Sequence, residues 1–171
     1  MNGLDHLANL AEIFAAVLVI VSLIYVGVQI KQNTSALRSN TAHNTSEGFS
    51  DLYLILANSR EMADIFARGT RDYDSLDRIE KVQFFAYFQK FFRTYENAYY
   101  QYKRTALEQE SFEGLSKQLE MVSSLPGVRR YWRERKNWYN DRFQVYIDEM
   151  FQELQQDKFQ LASSHQVQAT S

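Results

Sequence analysis

Sixteen consecutive residues without a charge, Ile13 to Val28 (IFAAVLVIVSLIYVGV), constrain this chain more than any other feature, because eleven of them are Ile, Leu, Val or Phe. At mid-bilayer each such side chain contributes about −0.3 to −0.6 kcal/mol on an insertion scale, so roughly −3 to −7 kcal/mol is available before Ser22, Tyr25 and Gly27 subtract their share. The run predicts one membrane-spanning helix over residues 13–30. Sixteen helical residues rise only about 24 Å against a hydrocarbon core of about 30 Å. Leu10 and Ala11 before the run and Gln29 and Ile30 after it therefore extend the span, with Glu12 near one interface and Lys31 snorkelling at the other. A central helix of a soluble bundle shares this length and composition. A cleaved signal peptide fits less well: MNGLDHLANLAE contains no Lys or Arg, and no small-x-small site follows the apolar run.

Orientation follows from basic residues beside the span. None precedes it, whereas Lys31 and Arg38 follow closely, which places the C-terminal side in the cytoplasm. The expected organisation is a short outside N-terminus (residues 1–12), the transmembrane helix (13–30), a cytoplasmic helical domain (31–154) and a disordered polar tail (155–171, QQDKFQLASSHQVQATS).

No cysteine is present, so disulfides, thiolate catalysis and Cys-ligated zinc are excluded. A net charge of −2, from 19 basic and 21 acidic residues, leaves no global electrostatic case for a nucleic-acid partner. With one proline and six glycines in 171 residues, little interrupts helix formation, and no stretch shows sustained strand alternation. The fold class is all-α: a single N-terminal transmembrane helix continuing into a cytoplasmic helical bundle.

The first helix is expected from about Leu4 to about Asn58, with a break near Gly48. Ser59 caps a short second helix ending near Gly69, and Asp74 or Ser75 starts a third that runs from about Leu76 to Leu107. A fourth covers Phe112 to Ser123, Pro126 opens a fifth as its first-turn proline, and a sixth takes Asp141 to about Leu154.

Between Phe84 and Tyr102 the third helix carries ten Phe and Tyr residues. Phe84, Phe88, Phe91, Tyr95, Tyr99 and Tyr102 recur at spacings of 4, 3, 4, 4 and 3, which puts them on one face. That periodicity is explained by core packing, although a pocket for a lipid tail or flat ligand would use the same residue types.

A second stripe crosses the end of the span. Val19, Leu23, Val26, Ile30, Asn33, Leu37, Asn40 and Asn44 fall at alternating spacings of 4 and 3, so a seam that is apolar in the bilayer turns Asn-rich beyond it. Asn at such positions sets register and oligomer number by pairing side-chain amides across helices. The stripe marks an oligomer seam, or else a solvated helix whose Asn residues face water. Asn33 and Asn44 also begin sequons, which a cytoplasmic location leaves unglycosylated.

The stretch GVRRYWRERKNWYNDRF is basic and aromatic together. On a helix from Pro126, Val128, Tyr131, Trp132, Arg135, Trp138 and Tyr139 lie along one side, expected to dock on the third helix. Arg129, Arg130, Arg133 and Lys136 fall mostly on the other, as candidates for anionic lipid headgroups, where each Lys or Arg is worth about 1 kcal/mol; a merely solvated basic face is the plainer alternative.

Catalytic constellations are nearly absent. His6, His43 and His165 are far apart, no HExxH or ExxH spacing occurs, and no metal site is expected. Glu96 lies among the rings, where Arg93 or Lys103 is its natural partner. No Gly-rich phosphate loop, GxSxG elbow or Walker pattern appears, so the chain is expected to be no enzyme and to need no cofactor.

The passages SLIYVGVQIKQNTSALRSNT (Ser22 to Thr41) and PGVRRYWRERKNWYNDRFQVYID (Pro126 to Asp148) together resemble a widespread group of small uncharacterised bacterial membrane proteins. Members of that group have one leading span, a QIxQNT-type juxtamembrane segment and a helical domain ending in a Trp-rich stretch. The resemblance covers nearly the whole chain except the tail. It implies a bacterial inner-membrane setting and brings no activity with it.

The functional expectation is a membrane-anchored, self-associating helical scaffold or interaction protein, with itself, membrane lipids or a further protein as partners. The alternative is a homo-oligomeric pore whose juxtamembrane lumen is lined by Asn33, Asn40, Asn44 and neighbouring Thr and Ser. A pore asks for polar residues at membrane depth, and the span offers only Ser22, Tyr25 and Gly27.

Overall fold

The computed structural model describes the backbone of residues 2–169, and the side chains of residue 10 and residues 12–156. Among the described residues every regular element is helical: α1 (Asn2–Asn58), α2 (Arg60–Arg71), α3 (Arg78–Lys103), α4 (Gln109–Ser123), α5 (Pro126–Arg135) and α6 (Asp141–Ala169), with 3-10 turns at Tyr73–Ser75 and Lys136–Trp138. The chain divides into two units, Met1–Asn40 and Thr41–Ser171. The first consists of α1 alone up to Asn40. The second contains the end of α1 and all the other helices.

The helix boundaries have local causes. Ser59 adopts extended backbone and its hydroxyl accepts from the Met62 N–H at 3.2 Å, which starts α2 as the sequence predicts. The start of α3 differs from expectation, because Asp77 is its cap and not Asp74 or Ser75. Asp77 Oδ1 accepts from the N–H groups of Ile79 and Glu80, while Glu80 returns its carboxylate to the Asp77 N–H at 2.8 Å. This reciprocal box satisfies three backbone donors, whereas Asp74 and Ser75 are already used in the 3-10 turn. Arg68 of α2 donates to both Asp64 and Glu80, and that contact holds the Glu80 carboxyl below its usual range.

α3 ends at Lys103 and not at Leu107, because Thr105 takes a left-handed backbone (φ 57°) and the N–H groups of Ala106 and Leu107 fold back onto the Gln101 carbonyl. α4 starts three residues earlier than Phe112. α6 extends to Ala169, past the Leu154 boundary expected from sequence and through most of the segment expected to be disordered; no Gly or Pro follows Gly127, so nothing local stops it. Thr170 and Ser171 lie outside the described residues. The break expected near Gly48 does not occur. Gly48 serves proximity instead, since a Cβ there would meet Thr94 of α3 at 3.2 Å.

The core of the second unit forms around α3. Phe84, Phe88, Phe91, Tyr95 and Tyr99 of the predicted stripe are buried, as are Tyr87, Phe92 and Ala98 beside it, so the buried sector is wider than the stripe. Tyr102 is half-buried and stacks on Phe112 of α4 at 4.4 Å between centroids. α5 brings Tyr131 and Trp132 onto Phe92 at 5.5 and 4.9 Å, and the last turns of α1 bring Phe49 onto Tyr95 at 4.6 Å. Offset and edge-on ring pairs of this kind add about 0.5–1.5 kcal/mol each beyond their area. One residue of the predicted docking side, Trp138, does not join them. α5 gives way to a 3-10 turn at Lys136, which turns Trp138 outward to half exposure beneath the Arg135 guanidinium.

Gly127 lets α5 approach α2, and Gly69 lets Leu76 and the Phe84 ring of α3 pack onto α2. A Cβ on Gly127 would stand 1.9 Å from the Gly69 carbonyl oxygen, and one on Gly69 would meet the Phe84 ring and Leu76 at 2.5 and 2.7 Å. Backbone cannot yield as a flexible side chain can. Gly127→Ala is therefore expected to destabilise the second unit by about 2 kcal/mol or more, whereas Gly114→Ala, at an open position in α4, is expected to hold or raise stability by up to about 1 kcal/mol. Thermal unfolding followed by circular dichroism checks both, and an unchanged Tm for Gly127→Ala would contradict the close approach.

Candidate membrane anchor and basic face

α1 is long and apolar enough to cross a membrane, and none of its most apolar window is buried. Ile13, Phe14, Leu18, Leu23, Ile24 and Ile30 each leave more than half their surface open. The few polar side chains within the predicted span are satisfied by the helix itself. The Ser22 hydroxyl donates to the Leu18 carbonyl at 2.8 Å, and the Gln29 amide donates to the Tyr25 hydroxyl at 2.9 Å. Such local bonding lowers the cost of placing these groups in hydrocarbon, where an unmade hydrogen bond costs several kcal/mol.

The eight seam residues all lie on α1 and all are exposed: Val19, Leu23, Val26, Ile30, Asn33, Leu37 and Asn40 in the first unit, Asn44 in the second. Within the second unit the buried side of α1 runs through Thr45, Phe49 and Leu52. Thr45 is turned about 100° from Asn44, so the core takes a different face and leaves the Asn44 line open.

The four basic candidates of α5 fall into distinct environments. Arg130 is ion-paired to Glu134 and lies over the Tyr73 ring, so its charge is already matched. Lys136 is paired to Asp148 at 2.8 Å. Arg129 lies over the Phe151 ring and donates through Nε to the Ser123 carbonyl at 3.2 Å, and Arg133 is exposed. Arg129, Arg133 and Lys136 share a cleft of about 520 Å³ with Asp148, Phe151 and Gln152 of α6. Its α6 wall was not foreseen from sequence, since nothing in the pattern of α6 says which of its residues will face α5.

A second cleft, of about 320 Å³, lies between the end of α1 and α4, with Phe49, Leu107 and Leu115 among its apolar walls and Thr45, Ser46 and Ser111 among its hydroxyls. Sequence reading missed it too: it joins segments some sixty residues apart through side chains that carry no chemical signature.

Glu96 is buried but partnered. It accepts from Arg93 Nη1 at 2.6 Å and from the Asn140 N–H at 2.8 Å, while Arg93 Nη2 reaches the Trp138 carbonyl at 2.6 Å. Of the two partners weighed from sequence, Arg93 fills the role. The group fastens the turn before α6. Among the described residues no three His, Asp or Glu side chains are grouped to hold a metal ion, and His6 and His165 lie outside the residues whose side chains are described.

No family profile, curated protein or solved structure matches this chain.

The buried tyrosines give the second unit a pH limit. Burial raises the hydroxyl pKa of Tyr95, Tyr131, Tyr139 and Tyr146, and pushes that of Tyr87 up to about 12. Tyr139 is raised further by its 2.7 Å hydrogen bond to Tyr131. An unfolded tyrosine ionises near pH 10, so above that pH the unfolded chain loses protons that the folded one keeps. Stability supplied by these groups is whole below about pH 10 and falls as pH rises through the folded values. Urea midpoints are expected to stay flat from pH 7 to about 9.5 and to drop steeply by about pH 11.5, with Tyr87→Phe showing a shallower fall. A flat midpoint across that upper range would contradict the burial.

Proposed function

We propose that this protein is a membrane-anchored, self-associating helical scaffold or interaction protein, held in a bacterial inner membrane by α1 with the Thr41–Ser171 unit on the cytoplasmic side. The observation that carries the reading is the wholly exposed apolar window of α1. Surface of that extent has no stable home in water, and its polar side chains are already bonded within the helix. Sidedness is inferred from Lys31 and Arg38, with no basic residue ahead of the span. The bacterial setting is inferred from the resemblance of the two motif passages.

The first partner is a second copy of the chain. The seam supports this by the exposure of each of its residues, Val19 to Asn40 in the first unit and Asn44 in the second. Asn side chains that pair across helices fix how many helices assemble. The second partner is lipid, met by basic side chains of α5. An interaction role accords with a sequence that has no cysteine, GxSxG elbow or Gly-rich phosphate loop. A pore is less well supported, because Ser22 hydrogen-bonds back to its own helix and offers little to a water column.

Native mass spectrometry in mild detergent tests the assembly. The wild-type chain is expected as one discrete oligomer, and Asn33→Ala combined with Asn40→Ala is expected to change its number or spread it over several. An unaltered oligomer in the double variant, or a monomeric wild type, would overturn the seam. Ion conductance by the intact oligomer in reconstituted bilayers would favour the pore instead.

A further inference from the structure

We infer that the α5–α6 cleft is a binding site for a phosphate-bearing ligand, held by Arg129 and Arg133 with Lys136 at its edge. The cleft is lined by three cations and a single carboxylate. That carboxylate is fully engaged: Asp148 accepts from Trp132 Nε1 at 2.8 Å through one oxygen and from Lys136 Nζ at 2.8 Å through the other. Its charge therefore balances Lys136 and leaves the two arginines unmatched. Among the described residues neither Arg129 nor Arg133 has an acidic side chain within ion-pair distance, in contrast to Arg130, which lies off the cleft with Glu134.

Arg129 is the more telling of the two. It is half-buried against Phe151, and among the described residues its one hydrogen bond goes to a neutral carbonyl and its buried Nη2 has no acceptor. A shielded guanidinium lacking a counter-charge retains much of its attraction for an anion, because solvent screens it less than a surface charge. Guanidinium forks match the oxygens of phosphate two at a time, and the Gln152 amide adds a neutral donor on the opposite wall. At about 520 Å³ the cleft exceeds what a bare phosphate fills, and Phe151 supplies an apolar wall for a small organic group attached to it. The chemistry is that of a phosphate ester of net negative charge, offered either by a free phosphate compound or by an anionic phospholipid headgroup. Only the lipid source rests on the anchoring reading; the site itself does not.

Isothermal titration of the full chain in uncharged detergent tests the site, with inorganic phosphate, short-chain phosphatidylglycerol and short-chain phosphatidylcholine as separate probes. Saturable binding of phosphate or phosphatidylglycerol is expected, with affinity lowered about tenfold or more by Arg133→Gln, an exposed position whose change leaves the core intact. Arg129→Lys, which keeps the charge and loses the fork, is expected to weaken binding as well. Lys117→Gln, an exposed cation of α4 away from the cleft, is expected to bind like the wild type. Binding of phosphate alone identifies a free ligand; binding only of phosphatidylglycerol identifies the headgroup. If neither probe binds, if phosphatidylcholine binds as well as phosphatidylglycerol, or if Lys117→Gln loses as much as Arg133→Gln, the site is refuted. Continued need for detergent in that case would leave the anchor standing.

Discussion

Apolar surface has to be removed from water, and every part of this structure answers that demand in one of two ways. Fully covering a Val, Leu, Ile or Phe side chain is worth about 1.5–3 kcal/mol. Even at half that value, the exposed large side chains of α1 between Leu10 and Ile30 together rival the about 5–15 kcal/mol that holds an ordinary domain folded. No solvated helix carries such a load without an apolar surrounding. In the proposed reading lipid supplies one over the length of the window, and neighbouring copies of the same helix supply the rest.

The Thr41–Ser171 unit meets the same demand internally. α3 is the element the others pack around, because its rings serve several neighbours at once: Phe92 touches Tyr131, Trp132 and Tyr139, while Tyr99 touches Phe112, Phe143 and Tyr146. Several polar groups drawn into this aromatic interior are paired with each other, as in the Tyr131–Tyr139 hydroxyl pair and the Ser116–Tyr146 contact. Charge is kept to places where it fastens a turn, as Glu96 and Arg93 do before α6. Arg129 and Arg133 of the α5–α6 cleft, which have no acidic partner among the described residues, depart from that economy, and the proposed phosphate site rests on that departure.

Features governed by short-range periodicity were legible in the sequence. The α3 stripe announced its buried face through its spacing, Ser59 and Pro126 marked helix starts by their side-chain and ring chemistry, and the uncharged run from Ile13 declared its length. Features governed by competition between neighbours were not. Asp72, Asp74, Ser75 and Asp77 all have capping side chains, and the reciprocal bonds between Asp77 and the Ile79–Glu80 turn decide in favour of Asp77. Gly48 looked like a helix break and proved to be a point of close packing. Trp138 kept the spacing of a docking residue, but α5 loses its α-helical period at Lys136. The basic residues were identifiable as a group, whereas the sorting of Arg130 from Arg129 and Arg133 depends on Glu134 and on the α6 residues opposite. That information is tertiary.

The most direct measurement is the partition of the full chain after an alkaline carbonate wash of membranes from cells expressing it, followed by flotation in a density gradient. Because the apolar window of α1 is taken to lie in hydrocarbon, the chain is predicted to remain with the floating lipid fraction. Recovery in the aqueous supernatant as a well-dispersed monomer would contradict the account at its foundation.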